Sequence, residues 1–293
     1  MLGFYTPTLS DAQWINELTE NCGQIGCDIS FATTYLWRNK YNIKVCNYKN
    51  TLFKAYFNVK NADKVDGYSF PVGELAPKDA LAVLLDDAHS RGAKPVIGML
   101  NKTNAEILSH LYPDEFDFIE ELDSADYIYS RENLALLPGK KFHAKRNHIS
   151  KFMRNNPDFC YKPIDSSNIE DAYIVAHKWN MKNSGDNSEL SAIREALDNF
   201  DALSLLGGVL YVASRPVAMT IGSKINSTVC DVNFEKAVEV DGAYAVINNE
   251  FAKAHPEFLQ FNREEDLGLE GLRISKLSYN PDKILMKYTA VKR

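Results

Sequence analysis

Glu264, Glu265 and Asp266 stand side by side next to Arg263, and Arg273, Lys276 and Tyr279 follow before residue 280. Carboxylates and cations held this close shift one another's pKa values and can orient a substrate. One carboxylate could bind an ammonium group or act as general base on an attacking amine. Arg263 could fix a neighbouring acid or grip a ligand carboxylate through two parallel hydrogen bonds. Arg273 and Lys276, three residues apart, share a helix face and could meet a phosphate or a developing oxyanion. A plainer reading stands beside each of these. Acids at a helix start accept orphan N–H groups, and cations on a helix are often surface charge. No His accompanies the acids, so no metal is expected there. The apolar residues Phe258, Leu259 and Phe261 lead into the cluster, and Leu267, Leu269, Leu272, Ile274 and Leu277 run through it, which ties it to a core.

A second chemical signal precedes it. Residues 140–154 contain Lys140, Lys141, His143, Lys145, Arg146, His148, Lys151 and Arg154 and no acid. At 100° per residue Phe142, Ile149 and Met153 form a narrow apolar stripe, with Lys140, Lys141, His148 and Lys151 opposite. Lys145 and Arg146 flank the stripe. Arg146 is the closer and is expected to point inward. Dense cations of this kind suit a phosphate backbone, because they displace condensed counterions. A solvated charged face, neutralised by the acidic first half, is the competing reading.

The elements that position these residues read as mixed α/β. Helices are expected over 11–20, 34–41, 78–91, 104–111, 140–154, 169–182, 190–199, 243–254 and 267–278. Strands are expected over 43–48, 52–59, 68–73, 94–100, 126–130, 159–163, 205–213, 216–223, 228–234, 258–261 and 283–291. In the second half, three hairpin-connected strands, a crossover helix and a further strand follow in the order of a GNAT-type acyltransferase. The first half is a shorter version, so two tandem domains are expected, 1–125 and 126–293. In GNAT enzymes a carboxylate at the end of the third meander strand, here Glu235, can deprotonate an amine through water. A surface ion pair with Lys236 is the alternative. Tyr279 stands where such enzymes place a phenol that protonates the leaving group, though a buried structural tyrosine would look the same. Acetyl-CoA-dependent members carry a Gly-rich turn before the crossover helix, whose N–H groups bind pyrophosphate. Here the turn reads Val238-Glu239-Val240-Asp241-Gly242, with one glycine and two acids, which argues against ordinary CoA use.

Bulk properties narrow the classes. The net charge of −6 lies wholly in the first 125 residues, with 11 Lys/Arg against 17 Asp/Glu; the remainder holds 22 of each. A wholly basic nucleic-acid-binding surface is excluded, and a local basic patch is not. No apolar run reaches the roughly 18 residues of a membrane span. The N-terminus has no secretory signal pattern. The five cysteines form no zinc pattern and read as reduced thiols of a cytoplasmic protein.

Several blocks together resemble a bacterial family of uncharacterised proteins related to the C-terminal domain of phosphatidylglycerol lysyltransferase. They are Tyr68-Ser69-Phe70-Pro71-Val72-Gly73, Asp126-Tyr127-Ile128-Tyr129, the stretch 137–147 with its Gly-Lys-Lys-x-x-x-Lys-Arg-Asn pattern, Phe234-Glu235-Lys236-Ala237, Ile247-Asn248-Asn249-Glu250-Phe251, and Asn262-Arg263-Glu264-Glu265-Asp266. The likeness runs from about Phe31 to Tyr279 and departs where the family pattern carries a His and this chain has Asn233. It implies the tandem GNAT fold shared with Fem-type peptidoglycan aminoacyltransferases and transfer from an aminoacyl-tRNA. The expected assignment follows. Glu235 or Glu265 lies near the nucleophile, and Arg263 and Arg273 orient. Lys276 or Tyr279 serves the oxyanion or leaving group, while Lys140, Lys141, Lys145 and Arg146 meet tRNA phosphates. The acceptor is an amine or hydroxyl on a lipid headgroup, peptide or small molecule. An acetyl-CoA-dependent N-acetyltransferase and a non-catalytic binding module are the alternatives.

Overall fold

The computed structural model describes the chain except residues 62, 184–186 and 239. Glu239, one of the two acids of the turn before the crossover helix, therefore lies outside the described residues. In chain order the elements are α1 (Ala12–Glu20), α2 (Phe31–Trp37), β1 (Ile43–Asn47), β2 (Thr51–Phe57), β3 (Val65–Ser69), β4 (Val72–Gly73), α3 (Pro77–Ser90), β5 (Val96–Leu100), α4 (Lys102–Leu111), β6 (Phe116–Ser130) and α5 (Arg131–Leu136). Then come α6 (His143–Asn155), β7 (Cys160–Pro163), α7 (Ile169–Asn183), α8 (Asn187–Asp198), β8 (Leu206–Val212), β9 (Arg215–Asn226), β10 (Val229–Ala237), α9 (Ala243–Ala254), β11 (Gln260–Asn262), α10 (Glu270–Leu277) and β12 (Lys283–Lys292).

The chain forms two compact units. The first is Met1–Asp126 with Glu265–Glu270 and Ile284–Arg293; the second is Tyr127–Glu264 with Gly271–Lys283. These differ from a simple division into 1–125 and 126–293, because the loop after β11 and the C-terminal strand return to the first unit.

In the first unit β1, β2 and β3 form an antiparallel meander. Lys49 and Asn50, both at positive φ, make the tight turn whose twist matches its flanking strands. Helix α3 crosses over, and β5 pairs parallel with β3, Tyr68 opposite Ile97. Strand β12 then pairs antiparallel with β5. Phe53, Ala55, Tyr68, Leu81, Leu84, Ile97 and Leu108 form the core under α3.

The second unit repeats this order. Strands β7 to β10 are antiparallel neighbours, α9 crosses over, and β11 pairs parallel with β10, Cys230 opposite Phe261. The end of β6 pairs antiparallel with β11, Tyr129 opposite Phe261. Each unit thus has the GNAT strand order, and each is completed by the strand that ends the other half of the sequence. Side chains alternate across a strand. Glu235 on β10 therefore meets α9, while its neighbour Lys236 turns to α7 and α8.

Three departures from the expected elements have physical causes. Strand β6 starts at Phe116 rather than 126, because its first two-thirds are acidic and largely exposed and carry no apolar alternation. Helix α5 is six residues, too short for a visible period, and is started by the Ser130 hydroxyl accepting the Asn133 N–H. Helix α10 starts at Glu270, not 267, since Leu267 and Gly268 adopt φ of 54° and 73°. Glu264, Glu265 and Asp266 are therefore in a loop and do not cap a helix.

Candidate functional site

The second unit gathers the polar chemistry around Glu235. Its Oε1 accepts from Arg263 Nη2 at 2.8 Å and its Oε2 from Asn248 Nδ2 at 3.2 Å. Three elements supply this trio: the end of β10, the residue after β11, and the second turn of α9. Burial opposes the Arg263 charge, but Glu235 beside it outweighs this and holds the guanidinium pKa above its ordinary value. Both carboxylate oxygens of Glu235 are engaged. By contrast Arg263 Nη1 and Asn248 Oδ1 are buried with no hydrogen-bond partner among the described residues. So is the hydroxyl of Thr220, which sits directly across the β9–β10 ladder from Glu235. An unpaired buried donor or acceptor costs about 1–3 kcal/mol, so a cluster of them needs an explanation, and a site that meets a ligand is one.

Aromatic rings form the wall. Tyr279 is buried, packs edge-on against Tyr129, and has the Arg263 Cζ 4.9 Å from its ring centroid. Burial pushes the Tyr279 hydroxyl up to about 12, with Glu235 adding to the rise and Arg263 opposing it. Burial also raises Tyr129, whose hydroxyl donates to the Lys276 carbonyl at 2.8 Å. Both phenols keep their protons at neutral pH.

The basic helix divides into distinct roles. Lys145 turns inward, with Nζ 3.7 Å from the Tyr279 ring centroid. Burial, reinforced by the nearby Arg263 charge, pushes its pKa down to about 8. Arg146 donates to the carbonyls of Leu137 and Gly139, tying α6 to the chain after α5. Lys151 pairs with Asp241 at 2.7 Å. Lys140 and Lys141 are exposed on the turn before α6.

The 263–266 loop is fixed from several sides. Tyr127 exchanges two backbone hydrogen bonds with it, at 3.0 Å to Arg263 and 3.2 Å to Glu264. Lys276 is buried, and its ammonium donates to the Arg263 and Glu264 carbonyls. Lys276 thus holds the backbone that aims Arg263. Arg273 is half-buried on α10. Lys236 pairs with Glu189, 2.9 Å to each oxygen, rather than with Glu235, and lies 3.9 Å from the Trp179 ring centroid.

Glu265 belongs to the first unit, where its Oε2 accepts from the Cys27 thiol at 3.7 Å. Cys27, Asp126 and Glu265 bring three potential metal-ligand atoms within 4.8 Å of one another. The group does not fit a metal, because the Lys287 ammonium already lies 2.6 Å from Asp126 Oδ1 and 3.2 Å from Cys27 Sγ. Burial works against the Lys287 charge, but Asp126 and Cys27 together hold its pKa well above the ordinary lysine value.

The start of α9 lies against α6. Gly242, at φ 86°, precedes the helix, and a Cβ there would lie 3.2 Å from Phe152 Cβ and 3.3 Å from the His148 carbonyl. Helix α6 thus packs against the turn that starts α9, the helix N-terminus to which a CoA pyrophosphate would bind in the GNAT pattern. Asn248, Thr220 and Tyr129 carry no motif that places them at this site, and Lys145 lies at the Tyr279 ring rather than on the phosphate-facing surface its helix suggests. The available signal is an Asn pair directly after the apolar run 243–247. Asn249, the second of that pair, donates to the Leu134 and Ala135 carbonyls at 2.7 and 2.8 Å and docks α5.

No helix among the described residues is long and apolar enough to cross a membrane. A crystal structure of a conserved protein of unknown function from Bacteroides thetaiotaomicron is 37% identical, with TM-score 0.94 over 100% of both chains. The C-terminal domain of a putative lysylphosphatidylglycerol synthetase from Agrobacterium fabrum has the same fold, with TM-score 0.69 over 97% of this chain and 92% of that one, at 13% identity. An uncharacterized protein of Mycoplasmoides gallisepticum is 25% identical over 171 residues, 56% of this chain, and the match spans only 55% of that relative's length. The family model described as phosphatidylglycerol lysyltransferase, C-terminal, matches residues 19–291, so the chain belongs to that family.

Proposed function

We propose that this acyltransferase moves an aminoacyl group from an aminoacyl-tRNA to an amine or hydroxyl acceptor, in the second unit around Glu235 and Arg263. The observation that carries the reading is the buried Arg263, whose Nη2 donates to Glu235 and whose Nη1 has no hydrogen-bond partner among the described residues. An aminoacyl ester is already activated, so the protein has mainly to orient the two reactants and stabilise the tetrahedral oxyanion. Arg263 Nη1 donates to that oxyanion. Glu235, itself held by Asn248, fixes the guanidinium, and the free Asn248 Oδ1 accepts from the ammonium of the aminoacyl group. Tyr279, protonated at neutral pH, lines the path of the leaving oxygen. Lys140 and Lys141 meet the tRNA backbone. Lys276 positions, and Glu265 serves the first unit's charge cluster.

An acetyl-CoA-dependent reaction is the second reading, since the strand order is that of GNAT enzymes. Two features weigh against it: α6 packs against Gly242 at the start of α9, and the Asp241 carboxylate stands beside it. Calorimetry separates the two. The proposal expects charged tRNA to bind with an affinity that falls with salt, and no saturable acetyl-CoA binding. Saturable acetyl-CoA binding with no tRNA binding would reverse the choice.

A further inference from the structure

We propose that Lys145 is the proton-transfer residue of this site: its neutral amine takes the proton of the attacking acceptor, and the resulting ammonium returns it to the departing oxygen of the donor ester. The inference rests on the aminoacyl-transfer reading of the second unit and adds the base which that reading lacks. Glu235 already holds Arg263 and Asn248 through its two oxygens, so a proton taken there would loosen the guanidinium that meets the oxyanion. Tyr279 and Tyr129 are held in their protonated forms. Lys145 reaches the same wall from α6, with its nitrogen 3.7 Å from the centre of the ring that Arg263 also faces. The charged groups acting on it are Arg263, which disfavours its charge, and Glu235, which favours it. His143 and His148, on its own helix, are exposed. Burial and Arg263 bring Lys145 to about 8, so a useful fraction is neutral near physiological pH and the same group can then act as acid.

The step balances. The acceptor X–H attacks the ester carbonyl, an X–C bond forms, and the X–H proton goes to Lys145. The oxyanion accepts from Arg263 Nη1. Collapse breaks the bond to the ribose oxygen, which leaves with the proton from Lys145. No other reactant is needed.

Two arms on the full chain test this. Isotope-coded acetic anhydride labelling against pH, read by peptide mass spectrometry, compares Lys145 with exposed Lys140 and Lys141. We expect Lys145 to reach half-maximal labelling roughly two pH units below an ordinary lysine, near 10.4. Labelling of all three together overturns the proposal. This arm needs no substrate, so its failure is separate from failure of the donor assignment. The second arm measures protein-dependent deacylation of total charged tRNA. Lys145→Arg keeps the charge but cannot deprotonate. It should lose about 10²–10⁴-fold, and Lys145→Ala should be partly rescued by added methylamine. A wild-type rate and pH profile in Lys145→Arg overturns the proposal. If the wild-type chain uses acetyl-CoA and not charged tRNA, the donor assignment falls, and the same comparison on acetyl-CoA decides the role of Lys145.

Discussion

Each unit buries a cation against a carboxylate, yet the two pairs are finished differently. In the first, Lys287 is enclosed by Asp126 and Cys27, with Asp28 at 3.8 Å, and Asp126 also accepts the Cys27 N–H at 2.9 Å. In the second, Arg263 spends one amino group on Glu235 and keeps the other without a partner among the described residues. A saturated pair specifies structure. A pair with an orphan donor, next to an orphan acceptor and a lysine of lowered pKa, carries a cost that a folding role does not explain. Under the proposed function the difference separates stability from activity within one chain, and mutations should separate them too.

The largest effect is expected on stability in the first unit. Lys287→Met leaves Asp126 buried and uncompensated, and should lower the unfolding free energy by about 3–5 kcal/mol in urea titration. Adding Asp126→Leu should restore much of that loss. In the second unit the balance reverses. Glu235→Gln keeps the shape and an accepting oxygen for one partner but turns an amide N–H toward the other, so the unfolding midpoint should fall, though by less than in Lys287→Met. It removes the charge that fixes Arg263, and transfer should fall about 10²-fold or more in a steady-state assay. If Glu235→Gln instead unfolds the chain like Lys287→Met while sparing transfer, the contrast between the two pairs is gone.

The pH dependence sharpens the same contrast. Lys145 has a folded pKa near 8, below its ordinary value of about 10.4, so the unfolded chain binds more protons between these limits. The penalty for burying its charge is full below pH 8 and is relieved as pH rises from there, so stability gains across that window. Activity should rise over the acid side of the same range, and Lys145→Gln should flatten both slopes. Smaller effects are expected at the surface. Lys140→Ala with Lys141→Ala should leave folding unchanged and lower the salt slope of tRNA binding by about 0.7–0.9 per lysine. Lys151→Ala, which removes an exposed pair with Asp241, should change neither folding nor transfer.

Much of the architecture could be read from periodicity and turns. The two meanders, both crossover helices and the final strand have the alternation or the 3.6-residue period that burial on one face requires. Strand β6 lacked that signal over its exposed acidic part, and α5 was too short to show one. The exchange of closing strands was also out of reach, because no local pattern says which sheet β12 or the end of β6 will join. At the site, Glu235, Arg263 and Tyr279 were identifiable by residue type and by their place in the strand order. Lys145 was not, because a lysine among seven other basic residues reads as surface charge. Only the packing of α6 against α9 and the Tyr279 ring turns it inward. The same limit applies to Lys276 and Arg146. Their cations are bound to backbone carbonyls, which sequence spacing does not locate.

The most direct test is protein-dependent deacylation of charged tRNA, measured over a protein-free blank for the wild-type chain and Glu235→Gln side by side, with tRNA affinity and unfolding midpoint followed in parallel. The account predicts release by the wild-type chain and about 10²-fold less by the variant, at unchanged affinity and with the variant still folded at the assay temperature. Equal rates in the two proteins, or no release above the blank by the wild-type chain, would contradict it.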